Sequence, residues 1–190
     1  MEQATRPRRL AVGITGATGA IYGEKLLRAL MDVGDVQVHL MVSPSGWRTI
    51  AQELQTSDRE LRAMVDVVHD SGNIGAAIAS GAYACDAMMI APCSMRTLGA
   101  VANGLADNLI TRTADVMLKE RRPLLVLTTE APLHLAHLRN MTAVTQMGAI
   151  ACPATPAFHV KPKSIGEIVN HTVAHMLDLI GIQKAAVEET

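Results

Sequence analysis

The sequence predicts an α/β fold, a Rossmann-like or flavodoxin-like three-layer arrangement in which a parallel sheet carries helices on both faces. Three observations lead there. Short apolar runs alternate with segments of helical spacing along the whole chain. The first run feeds a glycine-rich turn, Gly13-Ile14-Thr15-Gly16-Ala17-Thr18-Gly19, which leaves as a helix. Two later runs end in Ala91-Pro92-Cys93-Ser94-Met95 and in Thr128-Thr129-Glu130-Ala131-Pro132-Leu133, and open parallel sheets bind ligands at such carboxyl ends.

Taken in order, 9–14 is the first strand, and 21–31 sets Leu26, Leu27 and Leu30 at helical spacing. Residues 36–42 alternate as a second strand with Ser43 at its carboxyl end, and Pro44 stands at the start of a helix over 45–54. A buried strand is expected over 87–91, closed by Pro92. The stretch 107–122 reads as a helix that puts Arg112 and Lys119 seven residues apart, two turns along one face, beside Leu109, Val116 and Leu118. That stripe fits an anion site next to an apolar floor, and it also fits a plain solvated face. A further strand is expected over 124–127, with helices over 134–146 and 164–180. Ser164 caps the last of these, with Glu167 three residues on. No repeat or linker interrupts the pattern, so 1–190 is read as one domain with loose ends at 1–8 and 183–190.

Composition narrows the function. Seventeen basic and eighteen acidic residues leave no electrostatic footprint for nucleic acid or an anionic membrane. No apolar run is long enough to span a bilayer, and the basic N-terminus leads into a strand without an apolar signal region. The three cysteines, Cys85, Cys93 and Cys152, leave one unpaired in any disulfide scheme, which fits reduced thiols in a cytoplasm. Hydrophobic residues make up 49% of the chain and aromatics only 2%, so the core is built from aliphatic and Met side chains. Such a surplus also suits subunit interfaces.

The motifs carry the chemistry. A strand entering Gly-x-x-Gly-x-x-Gly and leaving as a helix aims free backbone N–H groups at an anion, with Thr15 and Thr18 as added donors. A tight turn without a ligand explains the same residues. The spacing differs from the dinucleotide fingerprint, and no acidic residue ends the second strand to take a ribose, which weakens a nicotinamide reading. Cys93 has no neighbouring His or Lys to lower its pKa and is read as an inert buried thiol. Ser94 is a helix cap or a ligand contact. No metal-ligand constellation is present, and His134 and His137 are read as surface residues.

In their order along the chain, these segments resemble the UbiX-type flavin prenyltransferases, in the flavoprotein group that includes the cysteine-peptide decarboxylases. The resemblance runs from about Leu10 to Ile182. It implies a single activity, joining a dimethylallyl group from dimethylallyl phosphate to N5 and C6 of reduced FMN. The product is the prenylated flavin used by UbiD-type decarboxylases. The resemblance assigns Gly13, Thr15, Gly16, Ala17, Thr18, Ser43, Ser94, Met95 and Arg112 to the FMN site, and Ser80-Gly81 before Tyr83 matches another flavin-lining segment. It implies catalytic roles for Glu53 and Glu130. Lys119, Thr129, His159 and His175 fall on the substrate-phosphate pocket, with Arg112 and Lys119 on the phosphate-side cations. It also implies a homododecamer built from trimers, with active sites shared between subunits.

The departures concentrate in one place. Thr129 stands where the family has Arg, His159 where it has Tyr, and His175 where the last helix carries Arg. The Trp-bearing C-terminal tail is also missing, and the only Trp is Trp47. A charged hydrogen bond contributes roughly 1.5–3 kcal/mol, and histidine is a part-time cation near neutral pH. Lys161 and Lys163 are candidate substitutes. The flavin half of the site is thus expected to be intact and the prenyl-phosphate half rebuilt. Two further readings stay open at this point: an FMN-binding paralogue without transferase activity, acting as carrier or interaction subunit, and a flavin-dependent cysteine-peptide decarboxylase. The last lacks an early catalytic His and a Pro-Ala-Ser-Ala-Asn-type turn.

Overall fold

Six short strands, rich in β-branched and other aliphatic side chains, lie parallel in one sheet in a computed structural model that describes residues 6–182. In chain order the elements are β1 (Arg8–Ile14), α1 (Ala20–Met31), β2 (Val36–Val42), α2 (Pro44–Glu53), α3 (Asp58–Ala63), β3 (Val67–Asp70), β4 (Ala87–Ile90), α4 (Met95–Ala102), α5 (Leu109–Lys119), β5 (Leu124–Thr128), α6 (Leu135–Gln146), β6 (Ile150–Pro153) and α7 (Ile165–Leu179). Short 3₁₀ turns stand at Ala77–Ala79 and Phe158–Val160. The strand order is β3-β2-β1-β4-β5-β6, so the chain reverses its direction of travel across the sheet between β1 and β4. That reversal opens a crevice at the carboxyl ends of the two strands.

Alternation along the strands divides the core in two. Leu10, Val12, Ile14, Leu40 and Leu127 face α1 and α7, where they meet Leu26, Leu27, Val173 and Met176. Ala11, Met41, Met88, Ile90 and Val126 face the opposite layer, where α4, α5 and α6 supply Leu98, Ile110, Met117 and Val144. Both faces of the central strands are therefore dry, as a parallel sheet requires.

The expected strands and helices appear with ends shifted by at most three residues, the largest shift being at the end of α5. Residues 6–8 depart from the expected loose end. Arg6 forks onto Asp86 with two 2.8 Å hydrogen bonds, and Arg8 opens β1 and donates to the Gly181 carbonyl at 2.7 Å. The other expected loose residues, 1–5 and 183–190, lie outside the described residues. No helix among the described residues is long and apolar enough to cross a membrane.

Candidate active site

Three helices begin at the same place. Ser43 caps α2 by accepting from the Gly46 N–H at 2.9 Å, and Pro44 fits the first turn because it needs no hydrogen-bond acceptor there. Ser94 caps α4, accepting from the Thr97 N–H at 3.3 Å. Asn108 caps α5, accepting from the Ile110 and Thr111 N–H groups, while the Thr111 hydroxyl accepts from the Asn108 N–H. These caps line one cleft of about 500 Å³ together with Gly16, Ser45, Ser71, Arg48, Arg96, Thr97 and Ile110. Three positive helix ends and two guanidinium groups around one space, with no carboxylate in its lining, make an anion-binding cleft with an apolar patch at Ile110. The volume is that of a cofactor-sized site.

The glycine turn forms one wall. A Cβ on Gly16 would sit 2.4 Å from Ser45 Cβ, so only glycine lets the turn close onto the start of α2. Thr15 is buried, not a free donor. Its hydroxyl donates to the Pro92 carbonyl at 2.9 Å and accepts from the Ser94 N–H at 2.7 Å, stapling the β1 turn to the β4 turn. Gly13 lies within β1, where a Cβ would press on Ile110 at 3.1 Å, so its part is packing beneath the cleft. The Ala17 N–H donates to the Thr15 carbonyl, and Met95 is the half-buried first residue of α4.

The N-terminus of α1 is already occupied. The Glu53 carboxylate accepts from both the Gly19 and Ala20 N–H groups at 2.8 Å. A side chain of the protein thus takes these two N–H groups, while Gly16 of the same turn lines the cleft with the capped starts of α2, α4 and α5. Thr129 stands beside the same turn and donates to the Thr18 carbonyl at 2.7 Å. Glu53, Thr18 and Thr129 thus cluster, and Glu130 follows as an exposed residue.

The remaining expected residues lie elsewhere on the chain. Arg112 and Lys119 do share the outer stripe of α5, but each meets a carboxylate: Arg112 pairs with Asp115 at 2.9 Å and Lys119 with Glu120 at 3.2 Å. Neither lines the cleft, to which α5 contributes its first turn instead. Lys119 does lie close to the Ser80-Gly81 segment, its ammonium 3.3 Å from where a Gly81 Cβ would be. His159 sits on the exposed 158–160 turn, edge-on to His171 of α7, and His175 is exposed on α7. Cys93 is fully buried, and burial pushes its thiol up to about 12, which leaves no thiolate for chemistry.

Sequence reasoning missed Ser45, Arg48, Ser71, Arg96, Thr97, Asn108 and Ile110. Asn108 alone had a local signal, a capping residue just before an apolar-periodic run. The others depend on helices from separate parts of the chain converging.

The comparisons with known proteins fit this geometry. The Flavoprotein family matches residues 1–183. Flavin prenyltransferase UbiX of Neisseria meningitidis serogroup B is 51% identical over 175 residues, 92% of each chain. The chain belongs to the UbiX-type flavin prenyltransferase family. The UbiX of Thauera aromatica is 48% identical over 170 residues, 90% of this chain and 87% of that one. Among solved structures, AnUbiX in complex with FMN and dimethylallyl pyrophosphate superposes with a TM-score of 0.92 at 44% identity, covering 94% of this chain and 95% of that one. A dodecameric FMN-dependent UbiX-like decarboxylase from Escherichia coli gives a TM-score of 0.91 at 41% identity, covering 96% and 100%.

Proposed function

We propose that this protein is a flavin prenyltransferase that binds FMN and transfers a dimethylallyl group from an allylic phosphate onto the reduced flavin. The observation that carries it is the cleft at the sheet's reversal point, where capped helix ends and two arginines surround a cofactor-sized space. A relative of 44% identity and nearly the same fold is described with FMN and dimethylallyl pyrophosphate. The residues fit the cofactor: Gly16, Ser43, Ser45, Ser94 and Asn108 offer backbone and hydroxyl or amide groups, and Ile110 offers apolar surface for a ring. Reduced FMN supplies the nucleophilic ring atoms. The chain's own part is to orient the two reactants, exclude water and hold the departing phosphate.

Glu53 and Glu130 are the proposed groups for proton movement, Glu53 from beside the glycine turn and Glu130 from the loop after β5. Arg112, Lys119, Thr129, His159 and His175 are proposed to meet the allylic phosphate in an assembly of several copies. Support comes from the exposure of Lys119, His159 and His175, the half-buried positions of Arg112 and Thr129, and the dodecameric UbiX-like relative. A homododecamer follows as the proposed assembly, and light scattering that gives a monomer at micromolar concentration contradicts it. The free Cys85, Cys93 and Cys152 support a reducing, cytoplasmic setting. A UbiD-type decarboxylase is the proposed recipient of the product.

The test is direct. The protein is incubated with reduced FMN and dimethylallyl phosphate or diphosphate, and the released flavin is weighed by mass spectrometry. A flavin heavier by one dimethylallyl unit is expected. Unchanged FMN with every donor, from a protein that binds FMN, would leave a flavin-binding carrier.

A further inference from the structure

We infer that Arg48 is the counter-charge for the phosphate monoester of the bound flavin nucleotide, and that it makes the cleft prefer FMN over unphosphorylated riboflavin. The inference rests on the flavin reading above. The cleft is lined by two guanidinium groups, and they are not equivalent. Arg96 is matched: it donates to Asp107 at 2.5 Å. Burial pushes against it, but Arg96 and the Asn108 amide hold the Asp107 carboxyl below its ordinary value. This acid therefore stays charged and keeps Arg96 engaged. Arg48 has no such partner among the described residues, and no Asp or Glu lines the cleft.

The neighbours of Arg48 point the same way. Ser43, Pro44 and Ser45 come from the first turn of its own helix, α2, and Gly16 abuts Ser45 with no room for a side chain. The hydroxyls of Ser43 and Ser45 lie 3.1 Å apart, and Ser43 also holds the helix cap. This corner thus offers a positive helix end, close backbone, two hydroxyls and one uncompensated cation. A phosphate dianion satisfies all four, whereas a neutral ribityl hydroxyl satisfies only the hydrogen bonds. The allylic donor also ends in phosphate. The flavin nucleotide is favoured because Arg48 shares its cleft with the Ser94 and Asn108 caps and not with Thr129, His159 or His175.

The experiment titrates wild type, Arg48→Met and Arg48→Lys with FMN and with riboflavin, and measures KM for dimethylallyl phosphate at saturating FMN. Arg48 is exposed, so Arg48→Met should keep the wild-type fold and particle size. The expected result is a Kd for FMN weaker by roughly 10- to 100-fold, as for loss of one charged hydrogen-bonding partner. Riboflavin binding should stay unchanged, Arg48→Lys should recover part of the loss, and KM for the allylic phosphate should hold. Equal weakening of FMN and riboflavin, or unchanged FMN binding, overturns the inference. So does a raised KM for the allylic phosphate with FMN affinity intact, which would assign Arg48 to the donor. A wild-type protein that binds no FMN would instead overturn the flavin reading itself, an outcome visible before any variant is made.

Discussion

Glu53 closes α2, and its carboxylate covers the first N–H groups of α1, so one side chain joins two helices beside the glycine turn. Its structural and chemical roles separate on substitution. Glu53→Ala should lower unfolding free energy by about 1 kcal/mol, the usual worth of a helix N-terminal acceptor. Glu53→Gln keeps an acceptor oxygen and should recover most of that in urea titration. If Glu53→Gln nonetheless loses prenylation while binding FMN normally, the carboxylate acts in proton movement. A second residue predicts a pH effect. His39 is buried on β2, its Nδ1 2.9 Å from His69 Nε2 and its Nε2 3.0 Å from the Tyr83 hydroxyl. Burial, then His69 and Arg9, push its pKa down to about 4, against a smaller opposing pull from Asp66, and burial also lowers His69. Above the unfolded value of about 6.5 neither state binds a proton at His39 and the cluster is neutral. As pH falls below that, the unfolded chain takes up protons first, so stability declines from about 6.5 down to about 4. The loss reaches roughly 3 kcal/mol when complete. Urea midpoints measured from pH 7 to 5 should fall, and His39→Leu should flatten that slope. An equal slope in the variant would place the dependence elsewhere.

At the scale of elements, what was legible followed burial. β1, β2, β4 and β5 stand out because their apolar runs are closed by Gly, Ser, Pro or Thr, and α1, α6 and α7 because their apolar spacing is regular. β3 and β6 were not legible. Each has four residues, each is a sheet edge, and their half-buried side chains give neither a continuous apolar run nor a clean alternation. α3 was missed although Ser57 and Glu60 form a complete capping box, because six residues carry too little periodicity to draw the eye to it. Only a few residues of the cleft lining were legible, for the same reason. Ser43 and Ser94 end predicted strands, whereas Arg48, Arg96 and Ser71 enter the cleft only when α2, α4 and the loop after β3 are brought side by side. The glycine turn was legible as a strand-to-helix turn, but nothing near it in sequence announces that Glu53 will accept from the first N–H groups of α1. One substitution tests the wall. Gly16→Ala forces a methyl group against Ser45, and either the turn or the first turn of α2 must shift. FMN affinity should fall by at least tenfold, about 1.4 kcal/mol, and the urea midpoint should fall with it, since the clash is with Ser45 Cβ and not with a flexible side-chain end. Unchanged FMN binding would mean that the two elements do not jointly shape the pocket.

For the whole molecule, one chain forms the cleft lined by Gly16, Ser43, Ser94 and Asn108, whereas the residues proposed for the allylic phosphate lie apart on it. Thr129 follows β5, His159 lies on the 158–160 turn, His175 on α7, and Arg112 with Lys119 on the outer stripe of α5. Exposed apolar side chains accompany them: Leu135 at 60% on α6, Phe158 at 70% beside His159, and Ile165 at 74% at the start of α7. Surfaces of this kind are covered when copies associate, which would bring the separated residues of different copies to one phosphate. In the proposed pocket, Thr129, His159 and His175 stand where the resemblance implies two permanent cations and a phenol. Thr129 is also held to the glycine turn through the Thr18 carbonyl. The triple variant Thr129→Arg, His159→Tyr, His175→Arg should therefore lower KM for dimethylallyl phosphate by an order of magnitude or more, the worth of about one restored charged contact. FMN affinity should not move, because none of the three lines the flavin cleft. Single reversions should give less than a third of the effect each, since groups that hold one phosphate act as a unit. If the native protein already matches the triple variant in KM, the donor's phosphate is held by other residues, and Lys161→Ala, at the residue that follows the 158–160 turn, becomes the variant that should raise it.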